Sequence, residues 1–212
     1  MTATCTGSSE ATADTPLWQL SATYGLAASE LSFSNDETVS VRRRVVSVGI
    51  ERRLGDRWAI QAGAGASLGG DLQLGDERYD LAPGWVASLG GSLRILEGEG
   101  MDPFLLAALS IAVGSALAQG PTDEAMFTAS DARLSLTVGK VFWHALAPYA
   151  VARVFGGPVF WKRHGESITG TDKYHVELGV GLLATAGGRM GAFFELIPLG
   201  ERSVSLGASV AF

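Results

Sequence analysis

The sequence predicts an all-β chain, an antiparallel up-and-down transmembrane β-barrel of ten strands, with eight or twelve as the alternative counts. Three observations carry this. Period-two alternation recurs along the chain. It is clearest in the closing stretch, where Val204, Leu206, Ala208, Val210 and Phe212 share one face and Ser203, Ser205, Gly207 and Ser209 the other. The second face is serine and glycine, where a water-facing sheet would carry Lys and Glu, so the apolar side suits lipid and the small side a crowded lumen. Short turns alternate with longer polar loops, and large aromatics gather near strand ends.

The strands follow in order. The first starts at Leu17 and sets Trp18, Leu20, Ala22, Tyr24 and Leu26 against Gln19, Ser21, Thr23 and Gly25. After a polar loop at 34–38, the second turns Val46, Val48 and Ile50 outward, and Gly55-Asp56-Arg57 closes a tight turn. The third carries Trp58, Ile60, Ala62 and Ala64 outward, and residues 69–80 read as a charged loop. The fourth sets Trp85, Ala87 and Leu89 opposite Ser88, Gly90 and Arg94. The fifth, from Pro103 to about Ala118, alternates most weakly, and a buried helix competes with it. Residues 120–131 read as a loop before the sixth, where Leu134, Leu136 and Val138 face away from Arg133, Ser135 and Thr137. The seventh runs from Pro148 to about Trp161, and residues 162–172 read as a loop. The eighth places Tyr174, Val176, Leu178 and Val180 against His175, Glu177 and Gly179. Gly187-Gly188-Arg189 turns into the ninth, which ends near Leu199, and Gly200-Glu201 leads into the tenth.

Composition is consistent with one such domain over residues 17–212. Hydrophobic residues make up 47% of the 212, yet no run of about 18 apolar residues exists, so a helical membrane span is not expected. The net charge of −6 argues against a nucleic-acid partner. A single cysteine, Cys5, excludes an internal disulfide framework, and with no apolar segment before it, lipidation is not expected. Residues 1–16 form a polar leader, expected to be disordered, without the basic and apolar regions of a secretory signal. A chain of this class needs such a signal, so it is expected to be removed or upstream.

Under a topology with both termini on the turn side, Trp18, Trp58, Trp143 and Phe212 form one aromatic girdle, with Phe104 and Tyr149 beside them. Trp85 and Trp161 belong to the opposite girdle, with Phe33, Phe160 and Tyr174. These girdles, the ten alternating segments and the terminal S-V-S-L-G-A-S-V-A-F resemble the small outer-membrane β-barrel proteins of Gram-negative bacteria, the broad OmpA-like and OmpW-like group. The resemblance implies the bacterial outer membrane as location, lipids and lipopolysaccharide as surroundings, and a C-terminal strand read by the barrel-insertion machinery. A monomer is expected. Functions in this group differ widely, so architecture alone does not assign one.

No catalytic, cofactor-binding or metal-binding motif stands out, so no cofactor and no enzymatic activity are expected. Parity sends Glu51, Arg53, Arg94, Arg133, Arg153, Glu177 and Glu195 into the lumen. Charges there must pair, since an isolated buried ion costs several kcal/mol. They are read first as a charge network filling the lumen of a structural or surface-interacting barrel. The alternative is a narrow channel for small solutes, anions among them. At the rim, Arg42, Arg44, Lys162 and Arg163 are candidates for lipopolysaccharide contact, because a guanidinium grips phosphate with two hydrogen bonds. His164, Glu166, Ser167, Asp172 and His175 fall near one loop and give a weaker third reading, a surface protease or lipid A-modifying enzyme.

Overall fold

A computed structural model describes residues 17–34, 37–98, 102–120, 124–163 and 166–212, the side chains of 163 and 166 excepted. The leader, Cys5 and His164 lie outside the described residues. Among the described residues thirteen strands run in chain order: β1 Trp18–Phe33, β2 Thr38–Arg53, β3 Trp58–Leu74, β4 Glu77–Leu81, β5 Gly84–Glu97, β6 Phe104–Gln119, β7 Glu124–Gly139, β8 Leu146–Gly156, β9 Pro158–Arg163, β10 Glu166–Asp172, β11 Val176–Ala186, β12 Met190–Leu199 and β13 Arg202–Ala211.

Ten of these close a ring. Antiparallel pairing passes from β1 through β2, β3, β5, β6, β7, β8, β11, β12 and β13, and β13 returns to β1 with Leu20 opposite Val210 and Leu26 opposite Val204. The seam is completed at its end by Phe212 N–H donating to the Trp18 carbonyl at 2.9 Å and Trp18 N–H to that of Phe212 at 3.1 Å. Closure leaves no free strand edge, the condition for a sheet to stand in lipid. The weakly alternating fifth segment is strand β6, not a helix.

A second, smaller ring stands above the first at the loop end. There β3 pairs β4, β4 pairs β6, β7 pairs β9, β9 pairs β10, and β10 returns to β1. With β1–β2, β2–β3 and β6–β7 continuing upward, eight strands close around this level. The hairpin β9–β10 spans from β7 to β1 where β8, β11, β12 and β13 have ended. The stretches 69–80, 120–131 and 162–172, expected as loops, are therefore largely paired strand. The expected seventh strand divides at Gly157, because there its outer partner changes from β11 to β10.

The two rings have opposite face chemistry. Around the ten-strand ring the large apolar side chains point out: Ile50, Ile60, Leu89, Ile111, Leu134, Val154, Val180, Phe194 and Leu206 are all exposed. Inside are Ser21, Thr23, Ser47, Ser88 and Ser205. In the eight-strand ring the outward positions are Ser40, Gln73, Arg78, Glu124, Lys162 and Thr169, and the inward ones are buried Leu31, Val39, Leu72, Leu81, Phe127 and Trp161. Along β2 parity never changes: Val46, Val48 and Ile50 face out, and Val39 and Val41 face in. On β3 a bulge lies between the pairs Arg43–Gly70 and Val45–Ser67, and it turns Leu72 inward. Gly69 supplies the left-handed backbone it needs, with φ +96°.

Candidate functional site

The lumen is filled in layers. At the loop end Leu31, Phe33, Val39, Val41, Leu72, Tyr79, Leu81, Phe127, Val159 and Trp161 pack as one apolar cluster. Trp161 is its centre, with 0% exposure, the Tyr79 ring edge-on at 4.9 Å and the Phe33 ring at 6.0 Å. Trp161 and Phe33 are thus plug residues, not part of an outer aromatic girdle. Position 161 is inward by parity, and lying one residue past outward-facing Phe160 it cannot share that ring's side. Trp85, Phe160 and Tyr174 are exposed on that side, and Trp18, Trp58, Trp143 and Phe212 at the turn end. Phe104 and Tyr149, expected beside the latter, instead face the interior: Phe104 packs with Ala147, Leu183 and Phe193, and Tyr149 lies against them.

Beneath the plug lies a chain of alternating charges. The Arg43 guanidinium donates to Glu201 Oε1 at 3.2 Å, and Arg133 donates to the other oxygen of the same carboxylate. Arg133 also bonds Asp131 and reaches Glu177 Oε1 at 3.3 Å. Arg153 continues the line to Glu177 Oε2 at 3.4 Å and Glu195 Oε1 at 2.7 Å, where the Tyr149 hydroxyl donates to Oε2 at 3.2 Å. The Arg133 guanidinium further sits 5.0 Å from the Phe155 ring centroid. Glu177, Glu195, Glu201 and Arg153 are all buried. Each buried charge here meets at least one opposite charge in hydrogen-bonding geometry, the condition that makes its desolvation tolerable.

The network draws on β2, β7, β8, β11, β12 and the β12–β13 link, so it ties one wall of the barrel to the underside of the plug. Gly200 lets Glu201 turn inward: its φ is +90°, and a Cβ there would sit 2.2 Å from the Val176 carbonyl oxygen. Asp172, in the eight-strand ring outside the apolar belt, faces the same cluster. Burial raises its carboxyl to about 6; Glu201 and Asp131 add to the shift, and Arg133 and Arg43 oppose it. Against the serine-rich wall of β1, β2, β5, β6 and β13 remains a cavity of about 310 Å³, lined by Thr23, Ser47, Ser110, Arg133 and Glu195 among others. The middle of the lumen is therefore half filled, with the charge network on one side and the cavity on the other.

The seven charges expected in the lumen do not form one network. Arg133, Arg153, Glu177 and Glu195 do. Glu51, Arg53 and Arg94 gather at the turn end around a separate cavity of about 40 Å³, beside Phe104 and Ala147. The division follows from height: Glu51 pairs with Gln19, close to the seam's turn end, whereas Arg133 pairs with Ser110 in mid-barrel. Sequence reasoning missed Arg43, Asp131 and Glu201 as network members, and Asp172 as a carboxylate facing them. Arg43 was legible, since outward Arg42 and Arg44 leave it inward; Glu201 sits in a link, where alternation has no bearing.

No family model and no curated protein matches this chain. Solved structures do. The outer membrane protease OmpT from Escherichia coli superposes with a TM-score of 0.60 at 10% identity, covering 96% of this chain and 99% of that one. The translocator domain of the autotransporter NalP from Neisseria meningitidis gives 0.53 at 13% identity, over 92% and 88%. The outer membrane protein OprG from Pseudomonas aeruginosa gives 0.51 at 7%, over 93% and 96%.

The chain has the fold of the bacterial outer-membrane β-barrels. In such a barrel the ten-strand ring with its apolar outside is the part that meets lipid, and the polar-faced eight-strand ring stands beyond it. The rim candidates Arg42, Arg44 and Lys162 are exposed on the outer surface; the Arg163 side chain lies outside the described residues. Of the possible catalytic cluster, Ser167 faces out, Asp172 faces the lumen, and His175 meets the Phe155 carbonyl oxygen through Nδ1 at 3.2 Å. His164 and the Glu166 side chain lie outside the described residues. Among the described residues no group of three or more His, Cys, Asp and Glu is placed to hold a metal.

Proposed function

We propose that the protein resides in the bacterial outer membrane as a non-conducting barrel, and that it acts through the surface it presents rather than through its lumen. The observation that carries this is the apolar plug. All eight strands of the loop-end ring direct hydrophobic side chains into it, and Val39, Leu72, Ala118 and Trp161 have no accessible surface. An ion crossing that layer would be stripped of water with too few polar groups to replace it. The charge network below it supports the same reading, because its arginines are engaged by carboxylates rather than aimed at a passing anion. A narrow anion-preferring channel would require the plug to leave its ring. The polar outer face of that ring, with Ser40, Gln73, Arg78, Glu124 and Lys162, is the surface available outside the membrane.

Single-channel recording tests this. Refolded protein, shown to be a barrel by its heat-shifted mobility in gels, is expected to insert into a planar bilayer without ohmic current steps. Reproducible steps of constant size would overturn the proposal and favour the channel.

A further inference from the structure

On the outer surface, three arginines surround one small residue at the upper edge of the apolar belt. On β1, Ala28 is paired with Arg42 of β2 on one side and with Arg202 of β13 on the other; Arg44 stands two residues below Arg42, opposite Leu26. All three arginines are exposed, and among the described residues none of their guanidinium groups makes a hydrogen bond, ion pair or ring contact. The neighbouring carboxylates are engaged elsewhere. Asp71, opposite Arg42 on β3, lies 3.8 Å from Arg78, and Glu30, two residues above Ala28, holds Lys173 at 2.8 Å. Directly below are apolar Leu26, Val46 and Leu206, exposed on the belt.

We infer that Arg42, Arg44 and Arg202 form a binding site for a bis-phosphorylated glycolipid, the lipid A type, whose acyl chains lie along β13, β1 and β2. The inference rests on the membrane placement proposed above. Two features select this ligand. The site lies where apolar belt gives way to polar ring, the depth at which a lipid presents its headgroup. Its cations are also spread: Arg42 and Arg202 are two strand spacings apart, about 10 Å, and Arg42 and Arg44 about 7 Å along one strand. Such a spacing engages two phosphates on a disaccharide, whereas a single phosphodiester reaches only one side of it. Small Ala28 between the arginines leaves room for the sugar, and guanidinium forks suit phosphate oxygens. Lys162 takes no part. It lies beyond the level of Phe33, which pairs with Gly170 and, through it, Val159, well above the arginine cluster.

Titration of the refolded protein in neutral detergent micelles with bis-phosphorylated lipid A tests the site. Dephosphorylated lipid A and phosphatidylglycerol run beside it. The Arg42→Gln, Arg44→Gln, Arg202→Gln triple variant should keep its heat-shifted mobility and bind lipid A about 100-fold more weakly, each cation supplying a factor of about 5 at an anionic surface. Arg202→Gln alone, the mildest change, should already weaken binding about 5-fold. Equal affinity of parent and variants for lipid A would overturn the site. Parent protein binding phosphatidylglycerol as tightly as lipid A would overturn the two-phosphate assignment. Insertion into lipid vesicles is measured on the same samples: a protein that inserts but does not discriminate refutes only this site, and one that does not insert refutes the membrane placement.

Discussion

Replacing Arg153 with Met is expected to destabilise the barrel by about 3–5 kcal/mol, the range for removing one partner of a buried ion pair. Arg153 is 7% exposed and bridges Glu177 and Glu195 through its two terminal nitrogens. Without it Glu195 keeps only the Tyr149 hydroxyl, and Glu177 keeps only Arg133. Methionine fills part of the space but supplies no charge. The loss is one of compensation more than of packing, so a second change should recover it. Arg153→Met with Glu195→Leu removes both ends of the shorter of the two Arg153 links and is expected to be more stable than Arg153→Met alone. Equilibrium unfolding by guanidinium in detergent, with the heat-shifted gel band as readout, measures both. A single variant as stable as the parent would mean that the network does not hold the wall of β7, β8, β11 and β12.

Trp161→Ala should cost a comparable amount, about 3–5 kcal/mol, by leaving a cavity at the centre of the plug. Trp161 is completely buried, and the Phe33 and Tyr79 rings pack against it. Its effect differs from that of Arg153→Met in where it appears. The eight-strand ring holds the β9–β10 hairpin through three register pairs to β7 and three to β1. Loss of the tryptophan should therefore loosen the hairpin before the ten-strand ring melts. Proteolysis of the variant is expected to cut near residues 157–172 while residues 17–53 stay protected, whereas the parent resists at both places. Cleavage of parent and variant at equal rates would show that the plug does not fasten the hairpin.

The sequence showed the ten-strand ring because lipid-facing strands declare themselves by outward apolar residues at every second position. Leu20, Val48, Ile60, Leu134, Val180 and Leu206 are such positions, and each is exposed on the belt. The eight-strand ring stayed hidden in the same sequence for a physical reason. It alternates with the same period, but water, not lipid, is outside it, so Val39, Leu72, Tyr79 and Phe127 are inward and Ser40, Gln73, Arg78 and Glu124 outward. Beside lipid-type strands those polar residues look like loops. The inward charges of β7, β8, β11 and β12 were likewise legible from parity, because the register shift between β11 and β12 falls beyond Glu195, near Leu199. Their partners were not. Glu201 reaches the lumen from a link through a positive-φ glycine, and Asp131 and Asp172 lie where the barrel changes from ten strands to eight. Trp161 was misplaced because an aromatic near a strand end serves a girdle or a plug depending on which way it points.

Strand β2 crosses from the apolar-faced ring into the polar-faced ring without changing parity. A nitroxide scan along β2, in a background with Cys5 replaced by Ala and the protein reconstituted in lipid vesicles, tests it most directly. Labels at positions 46, 48 and 50 should collide with oxygen dissolved in lipid, labels at 38 and 40 with an aqueous nickel chelate, and labels at 39 and 41 with neither. Oxygen-accessible labels at 39 and 41, or chelate-accessible ones at 46 and 48, would contradict the two-ring account.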